Sequence, residues 1–128
     1  MQPESVFAHF KLATKYFVAK QMDEARKELA AVERLDSSGV KASGLKALLA
    51  LHDKKLDETV EFARKALEQW PAHDGAMYFV LGDAYDQQGR FSEARDALRS
   101  ALRCSPDEKS AQAARRAIAR INERLGSN

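Results

Sequence analysis

Apolar and small residues recur along this chain at intervals of three and four, the spacing of one helical face. The pattern is clearest near the middle. Tyr78, Leu81, Gly82 and Tyr85 share a face of one helix, and Phe91, Ala94, Leu98 and Ala101 share a face of the next. Two apolar faces separated by a few residues must meet, so the pair predicts a helical hairpin. Gly89 stands between them, where a backbone with positive φ ends the first helix, and Pro106 closes the unit. Gly82 and Ala94 are small enough to let the two axes approach closely. Extended along the chain, the periodicity predicts seven helices with approximate spans 4–19, 22–35, 38–52, 56–69, 74–88, 91–104 and 106–125.

The same skeleton recurs upstream. Phe91, Ala94, Leu98 and Ala101 align with Leu56, Thr59, Ala63 and Ala66, and then with Met22, Ala25, Leu29 and Val32, at steps of 35 and 34 residues. For the first helices the expected counterparts of Tyr78, Leu81, Gly82 and Tyr85 are Gly44, Ala47, Leu48 and Leu51, and then His9, Leu12, Ala13 and Tyr16. This register makes the turn of the second unit, His52 to Lys55, one residue shorter than the others. Lys20 and Lys54 stand near the place of Gly89, and Ser37 stands where the other units have Pro71 and Pro106. In these features the chain resembles the tetratricopeptide pattern, most fully from Tyr78 to Pro106. The resemblance implies an all-α fold: a right-handed α-solenoid of three helix-turn-helix repeats, approximately 6–39, 40–73 and 75–108, forming one domain over 1–128.

The last predicted helix differs in kind. Ser105-Pro106-Asp107-Glu108 reads as an N-cap serine, a proline at the first helical position and a glutamate in capping-box register. Ala111, Ala114, Ile118, Ile121 and Leu125 make a single apolar stripe, with Arg115, Arg116, Arg120, Glu123 and Arg124 around the rest. One stripe packs on one neighbour, so the segment 106–125 is expected to be the solvating helix that closes the array.

Composition removes several classes of function. With 21 basic and 19 acidic residues the formal charge is +2, too mild for the concentrated basic face that nucleic acid requires, and the stripe Arg116, Arg120, Arg124 reads as a solvated face. No window approaches the ~20 apolar residues of a membrane span, so membrane insertion is not expected. Residues 1–5 show no basic segment followed by an apolar one, which favours a cytoplasmic protein, although a leader already removed or a larger parent protein leaves no trace in this sequence. Cys104 is the only cysteine, so neither an intramolecular disulfide nor a cysteine cluster exists, and beside Arg103 it reads as an inert small residue. His9, His52 and His73 lack the spacing of a helical metal pair. No phosphate loop or nucleophile elbow occurs, so neither a cofactor nor an enzyme activity is expected.

The functional expectation rests on a second face of the first helices. Phe7, Phe10, Thr14 and Phe17 follow helical spacing beyond the set facing the hairpin partner; the equivalents expected in the other repeats are Leu45, Leu49 and His52, and then Phe79, Asp83 and Asp86. In tetratricopeptide proteins the first helices line a concave groove that holds a peptide, so the resemblance implies that these residues form it, aromatic at one end and acidic at the other. Leu45, Leu49 and Phe10 also admit an inter-repeat core reading. Trp70 reads as packed under the next repeat or as a rim contact. The basic clamp by which chaperone-binding members hold a terminal carboxylate is absent, so the expected partner is a protein segment with apolar anchors and a basic residue or two. That describes a non-catalytic adaptor or an assembly or secretion chaperone. The alternative is a structural oligomerisation module that self-associates through the aromatic face of its first helix.

Overall fold

The computed structural model describes residues 5–36, 39–68, 75–104 and 107–126. Ser37, Trp70, Pro71, His73, Ser105 and Pro106, which figure in the expectations above, lie outside them. Among the described residues there are seven helices and no strand: α1 (Val6–Val18), α2 (Met22–Leu35), α3 (Val40–His52), α4 (Leu56–Leu67), α5 (Gly75–Gln87), α6 (Phe91–Arg103) and α7 (Glu108–Gly126). Each consecutive pair α1/α2, α3/α4 and α5/α6 packs closely as a hairpin, and α7 lies on α6.

Three near-identical turns close the hairpins. Lys20 (φ 63°), Lys54 (φ 62°) and Gly89 (φ 79°) all adopt the left-handed conformation anticipated at Gly89 alone. In each turn the next N–H donates to a carbonyl five residues back: Gln21 to Tyr16 at 2.8 Å, Lys55 to Ala50 at 2.9 Å and Arg90 to Tyr85 at 2.8 Å. These bonds make Tyr16, Ala50 and Tyr85 equivalent, and with them Ala13, Ala47 and Gly82. The first-helix register expected for repeat two is therefore wrong by one residue, and its turn is not shorter than the others. The step is 34 residues from repeat one to two and 35 from two to three, in first and second helices alike.

The reason is visible in α3. Ala42, Ser43, Leu45, Ala47, Leu49 and Ala50 are all buried, so this helix is covered around most of its circumference and has no single apolar stripe to fix its phase. Slipping it by one residue still leaves apolar side chains at three-four spacing.

Where the pattern was distinctive, the packing follows it. Gly82 faces Leu98 across the third hairpin so closely that a Cβ there would lie 2.8 Å from Leu98 Cγ. Ala47, Leu81, Ala84, Tyr85, Ala94, Leu98, Ala114 and Ile121 belong to one core cluster, and Ala13, Val32, Ala42 and Leu45 form a second between repeats one and two.

One further expectation is corrected. Leu12, assigned to the first hairpin core, is 39% exposed, because it lies on the side of α1 where a preceding repeat would stack. At the start of α7, Asp107 Oδ1 accepts from Ser110 N at 2.7 Å, a capping bond within the described residues.

Direct contacts link α1 to α3 and α3 to α5, while α2, α4 and α6 make no comparable contact with one another. Helices that crowd together on one side of a stack lie on its inner surface, which makes the first helices the concave side.

Candidate functional site

The inner face begins at α1. Phe7 is 60% exposed with the Lys11 ammonium 5.3 Å from its ring centroid, an arrangement that holds an aromatic at the surface. Phe10 is half-buried and packs inward on the cluster of Ala13, Val32, Ala42 and Leu45. The Thr14 hydroxyl donates to the Phe10 carbonyl at 3.0 Å, so its polar atom is spent within the helix. Phe17 is half-buried and meets the exposed His52 ring edge-on, with centroids 6.4 Å apart and planes at 80°.

The corrected register changes the middle of the face. Leu45 and Leu49 are 2% and 8% exposed and lie a hundred degrees around the helix from the positions intended for them, so they offer almost no surface to a ligand. The residues equivalent to Phe10, Thr14 and Phe17 are instead Gly44, Leu48 and Leu51, of which the two leucines are half-buried. His52 corresponds to Val18 and Gln87.

At the third repeat, Phe79, Asp83 and Asp86 line a cleft of about 360 Å³ between α5 and α7, together with Gly82, Ala113, Arg116 and Arg120. Phe79 and Ala113 also line a neighbouring hollow of about 570 Å³, whose other described walls include Gly75, Ala76, Cys104 and Ala114. The two adjoin at Phe79 and Ala113; the hollow toward the start of α5 is mainly apolar, although Asp107, Lys109 and Ser110 also line it, and the cleft toward the end of α5 is charged. The charged end is not purely acidic. Arg120 Nη2 lies 4.0 Å from Asp86 Oδ2, Arg116 shares the cleft, and Asp83 accepts from Gln87 at 3.2 Å.

Arg116, Arg120 and Ala113 were not among the expected groove residues. The i, i+4 spacing of Arg116, Arg120 and Arg124 marks a solvated stripe in the sequence, and only the packing of α7 brings Arg116 and Arg120 opposite the aspartates. Elsewhere, His9 Nδ1 sits 2.5 Å from Glu28 Oε2 between α1 and α2, an inter-helix tie. Among the described residues no group of three His, Cys, Asp or Glu side chains is placed to hold a metal ion, and no helix is long and apolar enough to cross a membrane.

The geometry is that of a helical repeat with an inner surface, and the comparisons with known proteins agree. The profile of the tetratricopeptide repeat matches residues 40–107. This chain belongs to the tetratricopeptide repeat family. As such it is a protein-interaction module of the helical-repeat kind. Among solved structures it is similar to MamA MSR-1, with a TM-score of 0.69 and 28% identity over 97% of this chain and 69% of that one. It is also similar to MamA AMB-1, with a TM-score of 0.68 and 29% identity over 95% of this chain and 64% of that one. A search of curated proteins finds no match.

Proposed function

We propose that this tetratricopeptide repeat protein is a non-catalytic adaptor or assembly factor that holds a peptide segment of a protein partner along its concave face. The observation that carries this reading is the crevice between α5 and α7, apolar where Phe79, Ala76 and Ala113 line it and charged where Asp83, Asp86, Arg116 and Arg120 do. Its volume falls within the range of ordinary ligand pockets, roughly 300–1,000 Å³. An apolar anchor of the partner enters the alanine-lined part, and the segment then runs toward Phe17 and Phe7. A basic residue of the partner competes with Arg120 for Asp86, so charge contributes orientation more than affinity.

Peptides selected from a displayed library against the intact chain provide the test. Phe7→Ala with Phe17→Ala is expected to weaken selected binders by about tenfold or more in a chain that still unfolds cooperatively, and Ala113→Phe, which fills the crevice from an exposed position, to do so with unchanged melting. Binders indifferent to both changes overturn the concave-face reading. The second reading, a structural oligomerisation module, is favoured by the exposure of Phe7. Sedimentation over a concentration range separates the two: a tight dimer that Phe7→Ala dissociates supports it, and a monomer refutes it.

A further inference from the structure

The corrected register exposes an asymmetry among the three first helices. The side of α3 turned toward the preceding repeat carries Ala42, Leu45, Lys46 and Leu49, and the same side of α5 carries Met77, Val80, Leu81 and Ala84. Seven of these eight are buried, and the eighth, Lys46, is half-buried. The equivalent residues of α1 are Ala8, Lys11, Leu12 and Lys15, and all four are exposed. Val18, 74% exposed, extends the patch, and a shallow hollow of about 790 Å³ runs along it. The first repeat thus presents a stacking face with no described residue stacked on it.

What covers this face elsewhere in the molecule defines what fits. In repeats two and three the cover includes the second helix of the preceding repeat, α2 over α3 and α4 over α5. Position by position the two interfaces differ in a correlated way. Glu33 of α2 pairs with Lys46 at 2.9 Å, whereas the equivalent Leu67 and Leu81 are both buried in one apolar cluster. The covering helix therefore brings a carboxylate where the face has a lysine and a leucine where it has a leucine. On α1, Leu12 occupies the Lys46 and Leu81 position, while Lys11 and Lys15 occupy positions that are apolar in both stacked repeats.

We infer that this face of α1 is a second docking surface, for an amphipathic helix of a partner protein whose apolar seam lies over Ala8, Leu12 and Val18 and is flanked by carboxylates for Lys11 and Lys15. The inference does not depend on the concave-face reading. A second copy of the chain is disfavoured by charge. The exposed charges of α7, Lys109, Arg115, Arg116, Arg120 and Arg124 against Glu108 and Glu123, are net positive, so head-to-tail stacking sets a positive surface against Lys11 and Lys15, and face-to-face pairing sets the lysines against themselves. Lysine stems lie along apolar surface and keep their charge at its edge, so the face accepts an apolar seam without burying an ammonium group.

The probe is a synthetic peptide with the sequence of α4, which covers the equivalent face of α5. It is held helical by a lactam that joins the Glu61 carboxyl to the side-chain amine of an Asp57→Lys substitution, both at exposed positions, since so short a helix is marginal alone. An acidic form carries Arg64→Glu and Lys65→Glu. The acidic peptide is expected to bind the intact chain roughly tenfold more tightly than the unmodified one, and Lys11→Glu with Lys15→Glu in the protein is expected to reverse that order. Both lysines are exposed, so circular dichroism of the double variant should match the parent. Failure of the acidic peptide to bind overturns the proposal. So does binding indifferent to Lys11 and Lys15, or a concentration-dependent dimer that Leu12→Glu dissociates, which assigns the face to a second copy.

Discussion

Two glycines in the helix interiors have opposite roles. At Gly82 a Cβ would meet Leu98 Cγ at 2.8 Å and the Ala94 carbonyl at 3.3 Å, and Leu98 is fully buried with nowhere to move. At Gly44 a Cβ would meet only Met77 Sδ, at 3.9 Å, an ordinary contact. Replacing a mid-helix glycine by alanine gains about 1 kcal/mol of propensity, while overpacking costs roughly 1–3 kcal/mol. Gly44→Ala should therefore raise stability in urea titrations, and Gly82→Ala should lower it. Asp107 gives a pH-dependent counterpart. The Ser110 backbone N–H, and then the Ser110 side chain, hold its carboxyl below the ordinary value of 3.8. A carboxyl lowered in the folded state stabilises the fold while ionised; that contribution is complete above the ordinary carboxylate range and is lost as pH falls through the lowered value. Glu93, lowered by its hydrogen bond from Arg90, acts in the same direction. Asp107→Ala should lower Tm at neutral pH and lower it less in acid, below the ordinary carboxylate range. An equal loss at both would show that the side chain acts by packing rather than by charge.

Among the elements, α1 and α7 are the first and last described helices, and their outer faces differ. The buried stripe of α7 contains Ala111, Ala114 and Ile121, with Ile118 and Leu125 half-buried beside it and arginines outward. Ile121, 1% exposed, is the largest of the buried three, so Ile121→Ala should cost about 2–5 kcal/mol in a denaturant titration. Removing residues 107–128 uncovers the flank of α6 and should produce concentration-dependent association in sedimentation, whereas a monodisperse truncation of equal stability would show that α7 is not a cap. The turns are more forgiving: Lys20 and Lys54 hold the left-handed conformation that Gly89 holds without steric cost.

For the whole molecule, the curvature that crowds the first helices together also sorts their aromatics into two kinds. Phe10 is pulled into the cluster between repeats one and two, while Phe7 stays at the surface. Phe10→Ala should thus cost roughly 2–3 kcal/mol of stability and Phe7→Ala less than about 0.5 kcal/mol. Thermal melts of the two single variants check this. Equal losses would mean that both rings are core and that the inner face lacks its aromatic end.

Helix number, the hairpin pairings, the cap and the family were legible in the sequence because each depends on local signals. Periodicity marks an apolar face, Gly82 opposite Ala94 marks a close approach, and the single apolar stripe of α7 among exposed arginines marks a helix packed on one side. The phase of α3 was not legible, because a helix buried on nearly all sides has no stripe by which to set it. Only the turn hydrogen bonds at Lys54 and Lys55 fixed it, and with it the placement of Leu45 and Leu49 in the interior. The mixed charge of the crevice was hidden for a related reason: Asp86 and Arg120 are 34 residues apart, and a helix surface reveals its own spacing but not its neighbour. The exposure of Ala8, Lys11, Leu12 and Lys15 was likewise a tertiary outcome. Their counterparts in α3 and α5 are covered, because stacking, a contact between repeats, decides which equivalent residues become core.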